Sequence, residues 1–130
     1  MPEKKIEHLK LIERKFSIKE NMYKKKRELA DLELHRIKEK KNKAKDNVKL
    51  AQEEAKLVEM KEKGEEQTKL LKMESNLKKK ESNIAKKDFK ISEIEAKMES
   101  KKTEIAKEEE ELKQIKEKIA TEFPDVQKAN

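Results

Sequence analysis

The chain has 130 residues and a formal net charge of +7, and 50% of its residues are Asp, Glu, Lys or Arg. Only 32% are hydrophobic and 3% aromatic, whereas a compact globular domain draws on roughly 45–50% apolar residues. This composition excludes a conventional globular core, and the lack of cysteine excludes disulfides and thiol chemistry.

The first half of the chain is predicted to form one long helix over about residues 3–62. Its commonest residues are Lys, Glu, Leu, Ile and Ala, which favour helices, and only Gly64 stands as a breaker between Pro2 and Pro124. Disorder is the alternative, because high charge with low hydrophobicity favours unfolded chains. The regular spacing of the apolar residues favours the helix.

Apolar residues occupy every seventh position of this first helix. They are Leu9, Phe16, Tyr23, Ala30, Ile37, Ala44, Ala51 and Val58, here called the Leu9 line. Repeated sevens of this length predict a coiled coil with a left-handed supercoil. We therefore expect the Leu9 line to form the seam, the row of side chains along which the helix packs on a second one.

Further apolar residues lie roughly opposite the Leu9 line on a helical wheel. They are Leu11, Ile18, Met22, Leu29, Leu32, Leu50, Leu57 and Met60, here called the Leu11 line. A hairpin with a single seam leaves this line exposed. It is then either a set of scattered surface residues, which are common, or a partner-binding face. The candidate contacts of such a face are Leu11, Arg14, Ile18, Met22, Leu29 and Leu32.

A turn is predicted at residues 63–66, around the single glycine, Gly64. Glycine suits the left-handed position that follows a helix. Lys61 and Lys63 precede Gly64, and Glu65 and Glu66 follow it. Positive charge at the end of the first helix and negative charge at the start of the second both interact favourably with the helix dipoles.

A second helix is predicted over about residues 66–123, followed by a short C-terminal tail. Its apolar residues also recur in sevens. They are Leu70, Leu77, Ile84, Ile91, Met98, Ile105, Leu112, Ile119 and Val126, here called the Leu70 line. Folding at Gly64 would set the Leu9 line against the Leu70 line. The predicted fold is therefore all-α, a single antiparallel coiled-coil hairpin that is monomeric rather than dimeric.

The same register also sets like charges against each other. The pairs concerned are Lys41 with Lys87, Arg27 with Lys101 and Glu20 with Glu108. Such layers have to reach water along their aliphatic stems or find neighbours of opposite sign. A continuous helix with a skip in its heptads stays open as the alternative to the hairpin.

No catalytic, metal or cofactor site is expected. His8 and His35 are isolated and a single glycine cannot build a phosphate-binding loop. The start of the chain has no signal-peptide core and no run is apolar enough to span a membrane. We therefore expect a soluble cytoplasmic protein that is not an enzyme. The basic run from Lys24 to Arg27 is interpreted as a solvated face, with nucleic-acid binding as the alternative.

The layout resembles the flagellar FliJ and type III secretion SctO (YscO-like) stalk proteins, which are short cytoplasmic chains that form one antiparallel coiled coil. The opening from Leu9 to Arg14 is similar to the Leu/Ile-rich start of that family, and the Lys-rich stretch from Lys113 to Lys118 is similar to its close. The resemblance implies a central stalk of a secretion ATPase. The end that carries both termini would enter a hexameric ATPase ring and the rest would reach an export-gate protein.

A structural scaffold that dimerises through the same heptads is the rival hypothesis. A stalk should be a monomeric hairpin that stimulates an ATPase, whereas a scaffold should be a stable oligomer that does not. A basic helix that binds nucleic acid is a third possibility, and its binding would be sensitive to salt.

Overall fold

The computed structural model describes residues 2–123 and consists of two helices, α1 over Pro2–Glu62 and α2 over Gln67–Glu122. The two helices are antiparallel and pack against each other, which confirms the predicted all-α hairpin. Strong helix formers fill both helices, and Glu3 in the first turn and Lys61 in the last turn of α1 suit its dipole. Val126 and the predicted tail lie outside the described residues.

The turn ends α1 with a glycine in the left-handed conformation. Gly64 has a φ of 67°, and its N–H donates to the carbonyl oxygen of Lys61 at 3.2 Å. The N–H of Glu65 donates to the carbonyl oxygen of Met60 at 3.1 Å. This pair of bonds is the Schellman arrangement, which satisfies carbonyls that the helix end would otherwise leave without donors. The prediction of a turn at Gly64 is confirmed.

Replacing Gly64 by alanine is expected to lower stability by about 1–2 kcal/mol, because an L-residue in the left-handed region carries a penalty of that size. A Cβ at this position meets no atom within 4 Å, so the whole effect should come from the backbone. Urea denaturation should show a smaller loss of unfolding free energy for Gly64→Asn than for Gly64→Ala, since Asn adopts the left-handed conformation more readily than Ala. Equal losses for the two variants would contradict this explanation.

The hairpin divides into two compact units. Leu32–Ala96 forms one, here called the turn unit, and the described residues on both sides of that range form the other, here called the terminal unit. In the terminal unit Ile18, Met22, Ile115 and Ile119 form a buried cluster. Leu11, Ile12 and Leu112 pack against this cluster. The turn unit buries Leu57 of α1 together with residues of α2, namely Leu77, Ile84, Ile91 and Ile94.

The Leu70 line faces α1, as predicted for α2. Leu77, Ile84, Ile91, Met98, Ile105 and Ile119 are buried, and Leu70 and Leu112 are half-buried. Met98, with 2% of its surface exposed, is the most deeply buried large side chain among the described residues.

The side of α1 that packs on α2 is not the predicted one, and the Leu11 line forms the seam. Ile18, Met22 and Leu57 of the Leu11 line are buried, and its other members are half-buried. The Leu9 line points outward instead: Leu9, Phe16, Tyr23, Ile37 and Val58 are all exposed. Because the two lines lie on opposite sides of α1, exchanging them amounts to a half-turn of the helix about its axis.

Opposite charges fill the polar positions of the seam and explain this orientation. In the turn unit Lys80 donates to Glu53 and Lys87 donates to Asp46. The partners are 27 and 41 residues apart, a difference of two heptads, as antiparallel helices in register require. In the terminal unit Lys25 donates to Glu108. Each of these layers joins a cation to a carboxylate, whereas the predicted register set Lys87 against Lys41 and Glu108 against Glu20.

Candidate protein-binding surface

The residues predicted to bind a partner are largely core residues. Ile18 and Met22 are each only 7% exposed and belong to the buried cluster of the terminal unit. Leu11 packs against that cluster, and Leu29 and Leu32 are half-buried. The face proposed for a partner is therefore covered by α2, because the Leu11 line supplies the seam.

Arg14 is the one predicted contact that stays on the surface. Its guanidinium donates to the carboxylate of Glu111 in α2. This ion pair lies at the edge of the terminal unit's core and spans the two helices. Its role in the structure is therefore to tie α1 to α2.

The outward side of α1 in the terminal unit carries four large apolar side chains. Ile6, Leu9, Phe16 and Tyr23 are exposed, and Phe16 and Tyr23 reach 61% and 69%. Phe16, Tyr23, Lys19, Glu20 and Lys24 line a shallow surface groove. The sequence pattern predicted that Leu9, Phe16 and Tyr23 would lie in the seam. The feature of the sequence that distinguishes the true seam from the exposed line is the sign of the charged residues that each line would set against α2.

Lysines flank this apolar row on both sides. Lys10 and Lys24 directly follow Leu9 and Tyr23 of the row. Lys5 directly precedes Ile6, and Lys19 takes the same heptad position as Lys5 two heptads later. All four side chains are exposed, and none takes part in the ion pairs found within residues 2–123. The row is therefore a narrow strip of apolar side chains, interrupted by Glu13 and Glu20 and bordered by four lysines that make no ion pair within residues 2–123.

The turn unit continues the same pattern with smaller side chains. Leu34, Ile37, Val48 and Val58 of α1 are exposed there, and Ala44 and Ala51 are the members of the Leu9 line between them. On α2 the exposed large apolar residues are Leu71 and Phe89. Aromatic side chains on the outward face of α1 occur only in the terminal unit among the described residues.

Charges on the opposite side of the terminal unit are already paired. The Nζ atom of Lys101 lies 2.5 Å from a carboxylate oxygen of Glu28, and this hydrogen bond raises the pKa of Lys101 and lowers the pKa of Glu28. A hydrogen bond to Glu108 likewise raises the pKa of Lys25. Near the row of lysines, burial lowers the pKa of Lys15, and the charges of Lys19 and Lys116 add to that effect.

Acidification is expected to remove the contribution of the Glu28–Lys101 pair. Because the fold lowers the pKa of Glu28, the stabilisation is fully present above the ordinary carboxyl pKa of about 4.3. It is lost as the pH falls through the lowered value. Melting temperatures of the wild type and Glu28→Gln should therefore differ at pH 7 and approach each other as the pH falls below the ordinary carboxyl pKa.

The matched control for this measurement is Glu110→Gln, which removes an exposed carboxylate of α2. Its melting temperature should stay close to that of the wild type at neutral pH. A difference between wild type and Glu28→Gln that persists unchanged at pH 3 would contradict the assignment to the carboxylate.

Both histidines have structural neighbours. The ring of His8 lies 4.5 Å from the ring of Phe123, centroid to centroid, and His35 Nε2 lies 3.6 Å from Glu39. Within residues 2–123 no group of three potential ligands is placed to hold a metal ion. Neither helix, over its described length, contains an apolar stretch long enough to cross a membrane.

The sequence matches no protein-family model, and no curated protein or solved structure shows significant similarity to it.

Proposed function

We propose that the protein catalyses no reaction and acts by binding other proteins through the outward face of α1. The observation that carries this proposal is the exposed row of Ile6, Leu9, Phe16 and Tyr23 on a helix whose opposite side is already packed. Large apolar side chains gathered on one exposed surface mark an interaction site. The seven-residue spacing of Leu9, Phe16 and Tyr23 suits a partner that is itself a helix.

The specific role we propose is that of a stalk that couples a hexameric secretion ATPase to an export-gate protein on the cytoplasmic side of a membrane. Three features support it: the antiparallel hairpin, the resemblance of the sequence to the FliJ and SctO stalk proteins, and the position of Phe16 and Tyr23. Both aromatic residues belong to the unit that holds the start of α1 and the end of α2. That is the end which a stalk of this kind would place in the ring.

A structural scaffold is the second candidate, and a specific observation favours it. Exposed apolar residues also keep the heptad spacing in the turn unit, where Ile37 and Val58 are exposed. A helix with an outward row of this kind can add a further helix to its own hairpin, including one from a second copy. The scaffold would use this face to hold copies of the chain together.

The test combines the mass of the purified chain with an ATPase assay. A stalk is expected to be monomeric by light scattering and to raise the ATPase rate of a hexameric secretion ATPase. Phe16→Ala/Tyr23→Ala should reduce that stimulation, because it removes the two largest side chains of the exposed row. A stable dimer that leaves the ATPase rate unchanged would support the scaffold. A salt-sensitive mobility shift of RNA would instead point to nucleic-acid binding.

A further inference from the structure

We propose that the outward face of α1 in the terminal unit binds an acidic amphipathic helix of a partner protein. This proposal rests on the protein-binding function proposed above and specifies the chemistry of the partner. The surface, here called the basic face, consists of the apolar row and its lysines: Ile6, Leu9, Phe16, Tyr23, Lys5, Lys10, Lys19 and Lys24.

The spacing of the basic face matches one half of a coiled coil. Leu9, Phe16 and Tyr23 occupy one core position of successive heptads, and Ile6 occupies the other core position of the first heptad. Core side chains of this kind pack into holes between four residues of a facing helix. The exposed groove beside Phe16 and Tyr23 is such a hole with no occupant from the hairpin. The expected partner therefore repeats apolar residues in heptads of its own.

The flanking charges specify the sign of the partner. The heptad positions next to the core determine which helices pair, through ion pairs between the two chains. In residues 5–24 these six positions hold Lys5, Lys10, Lys19 and Lys24, together with Ile12 and Ser17, and no acidic residue. A partner helix with glutamates at the matching positions would neutralise all four lysines.

A second copy of the chain fits the basic face poorly. Packing this face on itself would bring lysines against lysines in either direction of the helices, because both flanks are basic. Like charges across a coiled-coil flank oppose pairing. An acidic helix avoids this repulsion.

An anionic membrane or a nucleic acid also fits poorly. Glu13 and Glu20 fill the remaining core-type positions of the row, and both are exposed. Two carboxylates inside the contact strip would face lipid headgroups or phosphates of the same sign. A protein helix can place a lysine opposite each carboxylate and keep apolar residues elsewhere.

The experiment uses two synthetic peptides of four heptads each, both with leucine and isoleucine at the core positions. One carries glutamate at all flanking positions and the other carries lysine. Binding to the full chain is measured by fluorescence anisotropy at low and at physiological salt. We expect the acidic peptide to bind at least tenfold more tightly than the basic one, with a preference that shrinks as salt rises.

Two variants of the chain test the contacts. Phe16→Ala/Tyr23→Ala should weaken the acidic peptide at least tenfold, because it removes the aromatic anchors. Lys19→Glu/Lys24→Glu leaves two basic and two acidic flanking residues and should abolish the preference for the acidic peptide. Phe89→Ala, which removes an equally exposed aromatic residue from α2, is the matched control and should bind like the wild type. Circular-dichroism melts verify that all variants fold.

Equal binding of the two peptides, or unchanged binding by Phe16→Ala/Tyr23→Ala, would overturn the proposal. A dimer mass that this variant abolishes would assign the face to a second copy. Binding to vesicles of anionic lipid that depends on Phe16 and Tyr23, without peptide binding, would assign it to a membrane.

If the acidic peptide binds but no secretion ATPase responds, the stalk role fails and the basic face stands. If an ATPase responds equally to the wild type and Phe16→Ala/Tyr23→Ala and the acidic peptide does not bind, the basic face fails and the stalk role stands.

Discussion

Met22→Ala is expected to destabilise the hairpin by about 2–4 kcal/mol, whereas Tyr23→Ala should change its stability by less than about 0.5 kcal/mol. The two residues are neighbours in α1 and lie about 100° apart around its axis, so that one faces α2 and the other faces solvent. Met22 is 7% exposed and lies in the buried cluster with Ile18, Ile115 and Ile119. Tyr23 is exposed on the outward face. Truncating Met22 leaves a cavity, while alanine at position 23 keeps a strong helix former at a solvated site.

Urea denaturation followed by circular dichroism measures both effects. Ile119→Ala is the matched control, because Ile119 lies across the same cluster in α2 and should lose stability to a similar degree as Met22→Ala. If Met22→Ala unfolds the chain in the absence of urea, the retained helicity of Tyr23→Ala still separates the two positions. A large loss for Tyr23→Ala with none for Met22→Ala would mean that the Leu9 line forms the seam after all.

The sequence was sufficient to predict the helices, the turn and the buried face of α2. Gly64 is the only glycine, and the charges around it suit a helix end on one side and a helix start on the other. The Leu70 line has no competing apolar line on α2 that is nearly as complete. One regular pattern in an uninterrupted helix leaves little choice about which side is buried.

The buried face of α1 could not be predicted by counting apolar residues. Every member of the Leu9 line is apolar, whereas the seam that the structure shows contains half-buried or buried charges such as Lys25, Glu39, Asp46 and Glu53. Apolar count therefore favoured the wrong side. An unpaired charge in a seam is costly, whereas a partner of opposite sign across the interface offsets part of that cost, so the signs of the charges matter beside the number of apolar residues.

The sequence did hold the signal that decides between the two sides. In the predicted register, Lys87 of α2 faced Lys41 of α1. With the opposite side of α1 turned inward, Lys87 reaches Asp46 and Lys80 reaches Glu53. Judging a seam by the signs of its polar layers as well as by its apolar positions would have identified the Leu11 line.

The same reasoning explains why the candidate site was missed. A seam formed by the Leu9 line would bury its aromatic residues, so the predicted partner contacts fell on the Leu11 line, which α2 covers in the structure. Phe16 and Tyr23 are unusual for exposed positions in a chain with 3% aromatic residues. Their exposure is visible only when the rotation of α1 about its axis is known.

Lys87→Glu gives the second large expected effect, and it tests the charged layers directly. The side chains of Lys87 and Asp46 are 31% and 28% exposed, which places their pair between a surface ion pair and a fully buried one. Setting a glutamate against Asp46 should therefore cost about 1–2 kcal/mol of unfolding free energy. The predicted register gives the opposite sign, because there Lys87→Glu would replace a repulsion with Lys41 by an attraction.

The reciprocal variant Asp46→Lys completes a double-mutant cycle. Alone it should also destabilise, since it sets a lysine against Lys87, but combined with Lys87→Glu it should recover most of the lost stability because the layer again joins opposite charges. Lys41→Glu is the control, and as Lys41 is exposed it should neither destabilise strongly nor rescue Lys87→Glu. If Asp46→Lys restores the stability of Lys87→Glu and Lys41→Glu does not, the side of α1 that carries Asp46 is the one that faces α2. If the two single changes simply add, the charges of this layer do not interact and the orientation of α1 must come from its apolar residues alone.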